Sequence, residues 1–203
     1  MTGRKGNQIY FNGISINKLA FLYGGYVMNI KTKRLLIRKF EFKDWQAVYE
    51  YTSDINVMNY IPEGVFTEEK AKEFINKNIG NTAENFAVVL VEENFVIGHI
   101  LFLKYFGEHT YEIGWVFNPK YYNRGYASEA AQAILKFGFE KMKLHRIIAT
   151  CQPENIPSYR VMENIGMRKE GYFKKCIPNA NEWWDEYYYA ILEEEWKRDI
   201  LNL

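Results

Sequence analysis

Residues 121–130 read Tyr-Tyr-Asn-Arg-Gly-Tyr-Ala-Ser-Glu-Ala and join an apolar run to an alanine-rich segment with helical spacing. Backbone N–H groups at the start of a helix lack partners within the helix and carry partial positive charge. Gly125 permits close approach of the backbone to a ligand, and Arg124 places a cation beside the same N–H groups. These local features leave two interpretations open, a strand-to-helix turn and an anion-binding site.

The segments on both sides of this stretch predict a mixed α/β sheet within one domain. Strands are predicted at 34–38, 86–92, 95–105, 110–117, 146–151, 168–176 and 184–192. The hairpin formed by the second and third of these is apolar on both faces, which is typical of a sheet covered on both sides. Helical spacing follows Asp44, Thr67, Gly125 and Asn155, and the charged tail from residue 193 predicts a short last helix. Residues 54–66 contain Pro62 and Gly64 and predict a loop.

The composition limits the classes of protein that fit. A chain of 203 residues with 48% hydrophobic residues favours a single domain with a substantial core, here assigned to residues 28–203. Residues 1–27 are rich in Gly and Asn without a clear period, and they predict an extension of unknown role. A net charge of +1 does not favour direct binding to nucleic acid. No apolar run has the length of a membrane span, and two cysteines favour a reducing, cytoplasmic compartment.

A second motif lies at residues 155–167, Asn-Ile-Pro-Ser-Tyr-Arg-Val-Met-Glu-Asn-Ile-Gly-Met. Asn155 is a predicted N-cap, Pro157 fits the first turn of a helix, and Gly166 ends it. The chain lacks the P-loop, dinucleotide-binding, zinc-protease, C-x-x-C and nucleophile-elbow patterns. No metal site is therefore predicted.

The two motifs together resemble those of the GNAT superfamily of acetyl-CoA-dependent N-acetyltransferases, and most closely its RimJ/RimL-like branch. The resemblance extends from about residue 33 to 196. It is carried by four features: R-L-x-x-R at 34–38, Tyr-Glu-Ile-Gly-Trp-Val at 111–116, the stretch at 123–130, and N-x-x-S-x-x-V-x-E-x-x-G at 155–166. The late segment Trp-Asp-Glu-Tyr at 184–187 is also similar to that branch. The resemblance implies a single-domain GNAT fold with a mostly antiparallel central sheet flanked by helices.

The resemblance also implies residues that bind acetyl-CoA. The pyrophosphate would lie on backbone N–H groups in a cradle turn formed by Asn123, Arg124, Gly125, Tyr126, Ala127 and Ser128. The strand segment Trp115, Val116 and Phe117 would bond the pantetheine arm as an added strand does. Asn155 would lie close by, and Arg160 would meet a phosphate. The first position of the family's cradle pattern, Gln or Arg, is Tyr122 here, so one charged contact is missing.

The chemistry of amine acetylation requires a base, an oxyanion donor and a proton for the leaving thiolate. Glu112 is the first candidate for the base, through a water molecule, and the alternative is a solvated strand carboxylate. The backbone N–H of Val116 or Phe117 is the candidate oxyanion donor. Many relatives place a tyrosine where this chain has Met162. RimJ/RimL-like proteins place a serine earlier on the same helix, and this resemblance implies Ser158 as the proton donor to the sulfur.

The acceptor is not identified by the sequence. The resemblance implies a protein N-terminal α-amine, and the alternatives are a small-molecule amine (a polyamine, amino acid or antibiotic) or a non-catalytic acyl-CoA-binding module. Residues 54–66, Tyr105, Phe106, Trp183 and Trp184 could line an acceptor pocket or belong to the core. Homodimers are common in the family, and the sequence does not decide the oligomeric state.

Overall fold

The computed structural model of the chain describes residues 28–179 and 182–201. The extension predicted for residues 1–27 lies outside the described residues. The described part forms one eight-stranded sheet with six α-helices, which confirms the predicted mixed α/β class.

The strands lie in the order β1-β2-β3-β4-β5-β6-β8-β7. Their bounds are β1 Asn29–Lys31, β2 Leu35–Arg38, β3 Asn85–Leu90, β4 Phe95–Lys104, β5 Thr110–Phe117, β6 Arg146–Cys151, β7 Arg168–Asn179 and β8 Glu182–Leu192. Strands β5 and β6 are parallel, and the other neighbouring pairs are antiparallel. The sheet is therefore mostly antiparallel, as the resemblance implied.

The helices cover both faces of this sheet. Their bounds are α1 Trp45–Thr52, α2 Ile55–Met58, α3 Glu68–Ile79, α4 Tyr126–Glu140, α5 Ile156–Asn164 and α6 Glu193–Leu201. The predicted cap of α3 is confirmed, since the Thr67 hydroxyl accepts a hydrogen bond from the Lys70 N–H at 3.2 Å. The predicted loop at 54–66 instead contains α2, because the Asp54 carboxylate accepts from the Asn56 N–H and starts a short helix.

Alternate residues of β3 enter two different cores. Val88 packs in the core beneath α4, which includes Ile134, whereas Val89 packs in the core beneath α1 and α3, which includes Ile75. Successive side chains of a strand point to opposite faces, so a strand covered on both sides is apolar at every position. The predicted two-sided coverage of the hairpin is confirmed.

The parallel strands β5 and β6 pair only at their N-terminal ends. Residues 110–112 of β5 pair with 146–148 of β6, and Ile113–Phe117 then remain paired with β4 alone. From Ala149 onward, β6 pairs only with β8. A gap therefore opens in the sheet at the carboxyl ends of two parallel strands, which is where open α/β sheets bind ligands.

Candidate active site

The cradle turn begins α4 with an unusual backbone. Gly125 is the N-cap residue with φ of +76°, and Asn123 also has a positive φ of +58°. Residues other than glycine and asparagine rarely adopt this left-handed region, which explains both residue types. No side chain of the described residues caps the helix, so the first N–H groups of α4 keep their capacity to bind an anion.

Arg34, in the turn between β1 and β2, holds the cradle turn in place. Its Nε donates to the Glu129 carboxylate at 2.6 Å, and its Nη1 donates to the Arg124 carbonyl oxygen at 2.9 Å. The guanidinium also lies 4.4 Å from the centre of the Tyr126 ring. Thr32 adds a hydrogen bond to the same carboxylate at 2.6 Å. Sequence reasoning missed this role, although R-L-x-x-R carried part of the resemblance.

Replacing Arg34 by alanine is expected to weaken CoA binding about tenfold, because hydrogen bonds to charged groups contribute about 1.5–3 kcal/mol each and the turn loses its brace. The CoA affinity of Arg34→Lys is expected to lie between those of the wild type and Arg34→Ala, since an ammonium keeps the charge without the forked geometry. Isothermal titration calorimetry with CoA measures both. Arg168→Ala is the matched control, because Arg168 pairs with Glu170 and Glu195 instead. An unchanged dissociation constant for Arg34→Ala would show that the contacts of Arg34 with the cradle turn do not contribute to CoA binding.

A cavity of about 420 Å³ lies at the gap between β5 and β6. It is lined by five of the predicted site residues, Glu112, Trp115, Val116, Asn155 and Ser158. From the predicted acceptor segment it is lined by Met58, Tyr60, Ile61, Pro62, Glu63 and Phe66. The sheet thus brings together residues that are far apart in sequence.

Other predicted residues lie outside this lining. The cradle turn is separate from the cavity, Phe117 packs its side chain in the core beneath α4, and Arg160 is exposed on α5. The aromatic acceptor candidates Phe106 and Trp183 are 77% and 57% exposed and do not line the cavity. Tyr105 and Trp184 do not line it either.

The register of β5 shows which of its backbone groups face the gap. The Asn118 N–H donates to the Ile97 carbonyl on β4 at 2.9 Å. Bonding alternates along an antiparallel pair, so the N–H of Val116 is also directed to β4. The N–H groups of Trp115 and Phe117 are directed into the gap. Of the two predicted oxyanion donors, only Phe117 therefore has a free N–H.

Two carboxylates meet in the cavity beside Thr150. The Thr150 hydroxyl donates to Glu112 at 3.4 Å, and it also interacts with Glu186 on β8. Burial raises the pKa of both carboxyls, and the charge of Glu186 raises that of Glu112 further. Sequence reasoning missed Glu186 and Thr150 as site residues. The signal present was the resemblance at 184–187.

The start of α5 brings polar groups to the same cavity. Asn155 occupies the predicted N-cap position, but its side chain makes no capping hydrogen bond, so the predicted cap is wrong at the level of the side chain. The Ser158 hydroxyl interacts with the Cys151 thiol, and burial raises the pKa of Cys151 to about 12. This thiol stays protonated at neutral pH and lacks the activation of a nucleophile.

In residues 28–179 and 182–201, no three His, Cys, Asp or Glu side chains are grouped so that they could hold a metal ion. Among the same residues, none of the helices is long and apolar enough to cross a bilayer.

The chain is similar to known proteins over most of its length. The family described as "Acetyltransferase (GNAT) domain" matches residues 34–168. The uncharacterized N-acetyltransferase YnaD of Bacillus subtilis (strain 168) is 79% identical over 169 residues, 83% of this chain and 99% of its own length. The [ribosomal protein uS5]-alanine N-acetyltransferase of Escherichia coli (strain K12) is 27% identical over 43% of this chain and 45% of its own length.

A solved structure is equally similar. The crystal structure of the acetyltransferase (GNAT family) from Bacillus anthracis is 78% identical, with a TM-score of 0.80 over 82% of this chain and 99% of that chain. Acetyltransferases of the GNAT family use acetyl-CoA as the acetyl donor. The chain therefore belongs to the GNAT family and is an N-acetyltransferase that uses acetyl-CoA.

Proposed function

We propose that the protein transfers the acetyl group of acetyl-CoA to a primary amine that attacks the thioester directly in a ternary complex. One observation carries this proposal. The gap between β5 and β6 places Glu112, the free edge of β5 and Ser158 around a single cavity. A base, a binding edge and a proton donor are what direct transfer requires.

The donor would enter the gap from the cradle turn. Its pyrophosphate would accept hydrogen bonds from the turn at residues 123–128, and Arg160 would meet a phosphate. Its pantetheine arm would lie along the free edge of β5, bond the N–H of Trp115 and pass the amide of Asn155, which leaves the Phe117 N–H for the thioester oxygen. The free α4 N–H groups and the unpaired β5 edge support this placement, since both are unused within the described residues.

The transfer itself needs no covalent enzyme intermediate. Glu112 takes a proton from the ammonium of the acceptor, through a water molecule, and the neutral amine attacks the thioester carbon. The C–N bond forms, the Phe117 N–H stabilises the oxyanion, and the C–S bond breaks as Ser158 protonates the thiolate. The nitrogen of the new amide then gives up its remaining extra proton, through water, to restore the Ser158 hydroxyl. The protonated thiol of Cys151 supports direct attack over a relay through cysteine.

A protein N-terminal α-amine is the first candidate acceptor, and it belongs with the RimJ/RimL-like branch. The Escherichia coli relative, a ribosomal-protein alanine N-acetyltransferase that is similar over 43% of the chain, supports it. A free α-amine has a pKa near ~8 and needs little deprotonation at neutral pH. A small-molecule amine is the second candidate, and the walled cavity of about 420 Å³ favours it. Two free cysteines support the cytoplasm as the proposed compartment.

An acceptor screen with acetyl-CoA tests the proposed function. Peptides with free Ser or Ala N-termini, polyamines, amino acids and aminoglycosides are each incubated with the enzyme, and release of the CoA thiol is followed. Acceptor-dependent release is the expected result, with mass spectrometry showing one added acetyl group. CoA binding without release for every amine class would instead favour an acyl-CoA-binding module.

Replacing Ser158 by alanine is expected to lower kcat about tenfold or more, because the thiolate loses its proton donor. CoA affinity is expected to change little, because Ser158 contacts only the sulfur end, whereas the pyrophosphate and pantetheine contacts stay intact. Steady-state kinetics and CoA titration separate the two effects. Ser158→Thr keeps a hydroxyl and is the matched comparison. Full activity of Ser158→Ala would assign protonation of the thiolate to water.

A further inference from the structure

The charged side chains that line the cavity have one sign. Glu63, Glu112 and Glu186 line it, and neither lysine nor arginine occurs among the lining residues. His99 also lines the cavity, but burial lowers its pKa to about 3, so the imidazole is neutral. An occupant of this space therefore meets negative charge alone.

The pair Glu112 and Glu186 has little internal compensation. A threonine hydroxyl has one hydrogen, so Thr150 donates to only one of the two carboxylates at a time. Within the described ranges, neither carboxylate forms an ion pair with lysine or arginine. Both carboxylates are half-buried, and carboxylates removed from water are normally paired or hydrogen-bonded, so this pair has unused capacity to accept hydrogen bonds.

Gln152 is an independent polar group at the same cavity. It lies in the turn between β6 and α5, is only 6% exposed, and lines the cavity. The described residues contain no fully buried side-chain N or O atom without a partner, so this amide reaches the open space of the cavity. It can therefore bond to a ligand that occupies the cavity. The amide oxygen, like the two carboxylates, accepts hydrogen bonds.

We propose that the acceptor is a small dicationic amine, whose reacting amino group meets Glu112 and whose second cationic group is bound by Glu186 and the amide oxygen of Gln152. The proposal rests on the proposed function and names its substrate class. An ammonium has three N–H donors, which a carboxylate and an amide oxygen satisfy together. A monoamine of equal length leaves Glu186 and Gln152 without a partner.

Binding measured without transfer tests this assignment. With CoA in place of acetyl-CoA no acetyl group is available, and calorimetry compares 1,4-diaminobutane with 1-aminobutane on the full chain. The diamine is expected to bind at least about tenfold more tightly, as for a charge-assisted hydrogen bond of about 1.4 kcal/mol or more. Glu186→Gln is expected to abolish this preference, and Gln152→Leu to reduce it. Glu182→Gln removes a carboxylate from the same strand outside the cavity and is expected to keep it.

The outcomes separate the two proposals. Equal binding of the two amines, or a preference that survives Glu186→Gln, would overturn the dicationic acceptor even if acetyl transfer occurs. If Gln152→Leu loses affinity for CoA rather than for the diamine, the amide contacts the acetyl donor, and its proposed role in binding the second cationic group is overturned. Tight diamine binding without transfer from acetyl-CoA would uphold the subsite and contradict the proposed function. Thermal melts of each variant show that the fold is retained.

Discussion

Glu112→Gln is expected to lower kcat/KM by about two to four orders of magnitude, the usual contribution of a positioned general base. Glutamine keeps the size of the side chain and its contact with Thr150 but cannot take a proton. The pH profile gives a second readout. Burial and the charge of Glu186 raise the pKa of Glu112 above the value of an ordinary glutamate, which is about 4.3. As the pH is lowered, the wild-type enzyme is therefore expected to lose activity at a higher pH than an enzyme with an unperturbed glutamate base. Glu112→Gln is expected to lose this acid limb.

The control for this prediction is Glu108→Gln, which removes an exposed carboxylate from the turn that precedes β5. Its activity is expected to match that of the wild type. Because Glu112 and Glu186 interact, the acid limb reports the pair and not one residue, so Glu186→Gln is expected to move it to lower pH. A wild-type profile in Glu112→Gln would show that Glu112 is only a solvated strand carboxylate.

Gly125→Val is expected to weaken CoA binding about ten- to a hundredfold. Space does not forbid the side chain, since an added Cβ would lie 3.6 Å from Arg34 Nη2. The backbone conformation is what disfavours valine, because holding a β-branched residue at a φ of +76°, in the left-handed region, costs about 1–3 kcal/mol of stability. The turn is expected to relax and to misdirect the first N–H groups of α4. Calorimetric titration with CoA measures the loss.

Gly107→Val separates this loss from a general effect of strain. Gly107 has a φ of +67° in the turn between β4 and β5 and has no neighbour within 4 Å of an added Cβ. The two variants are expected to lose similar thermal stability, while only Gly125→Val loses CoA affinity. Equal CoA affinity in both would contradict the cradle turn.

Local features of the site could be predicted from the sequence. The positive φ of Gly125 follows from a glycine before an alanine-rich helix, and β5 is predicted at its observed bounds, Thr110–Phe117. Residues 46 positions apart carry no local signal that they are close in space. The prediction that Ser158 and Glu112 lie at one site therefore depended on the resemblance of their motifs to those of the GNAT superfamily, and both residues line the cavity.

The rest depends on register and on long-range contacts. The alternation of backbone hydrogen bonds along β5 decides whether Val116 or Phe117 has a free N–H. The hydrogen bond from the Asn118 N–H to the Ile97 carbonyl fixes this alternation. Glu186 reaches the site only because β8 pairs with β6. The sequence of a single strand does not state its partner. The local pattern also predicts that the side chain of Asn155 caps α5, whereas in the structure it makes no capping hydrogen bond and the residue lines the cavity.

The gap between β5 and β6 has a consequence for aggregation. A ladder that stops inside a sheet creates two strand edges with unpaired backbone groups, and such edges are templates for pairing with other chains. Here the edges of Ile113–Phe117 and of Ala149–Cys151 face each other across a narrow gap instead of lying at the rim of the sheet. Another chain cannot reach them as it reaches a rim. The arrangement keeps backbone groups free for a thin, amide-containing ligand while denying them to a neighbouring protein.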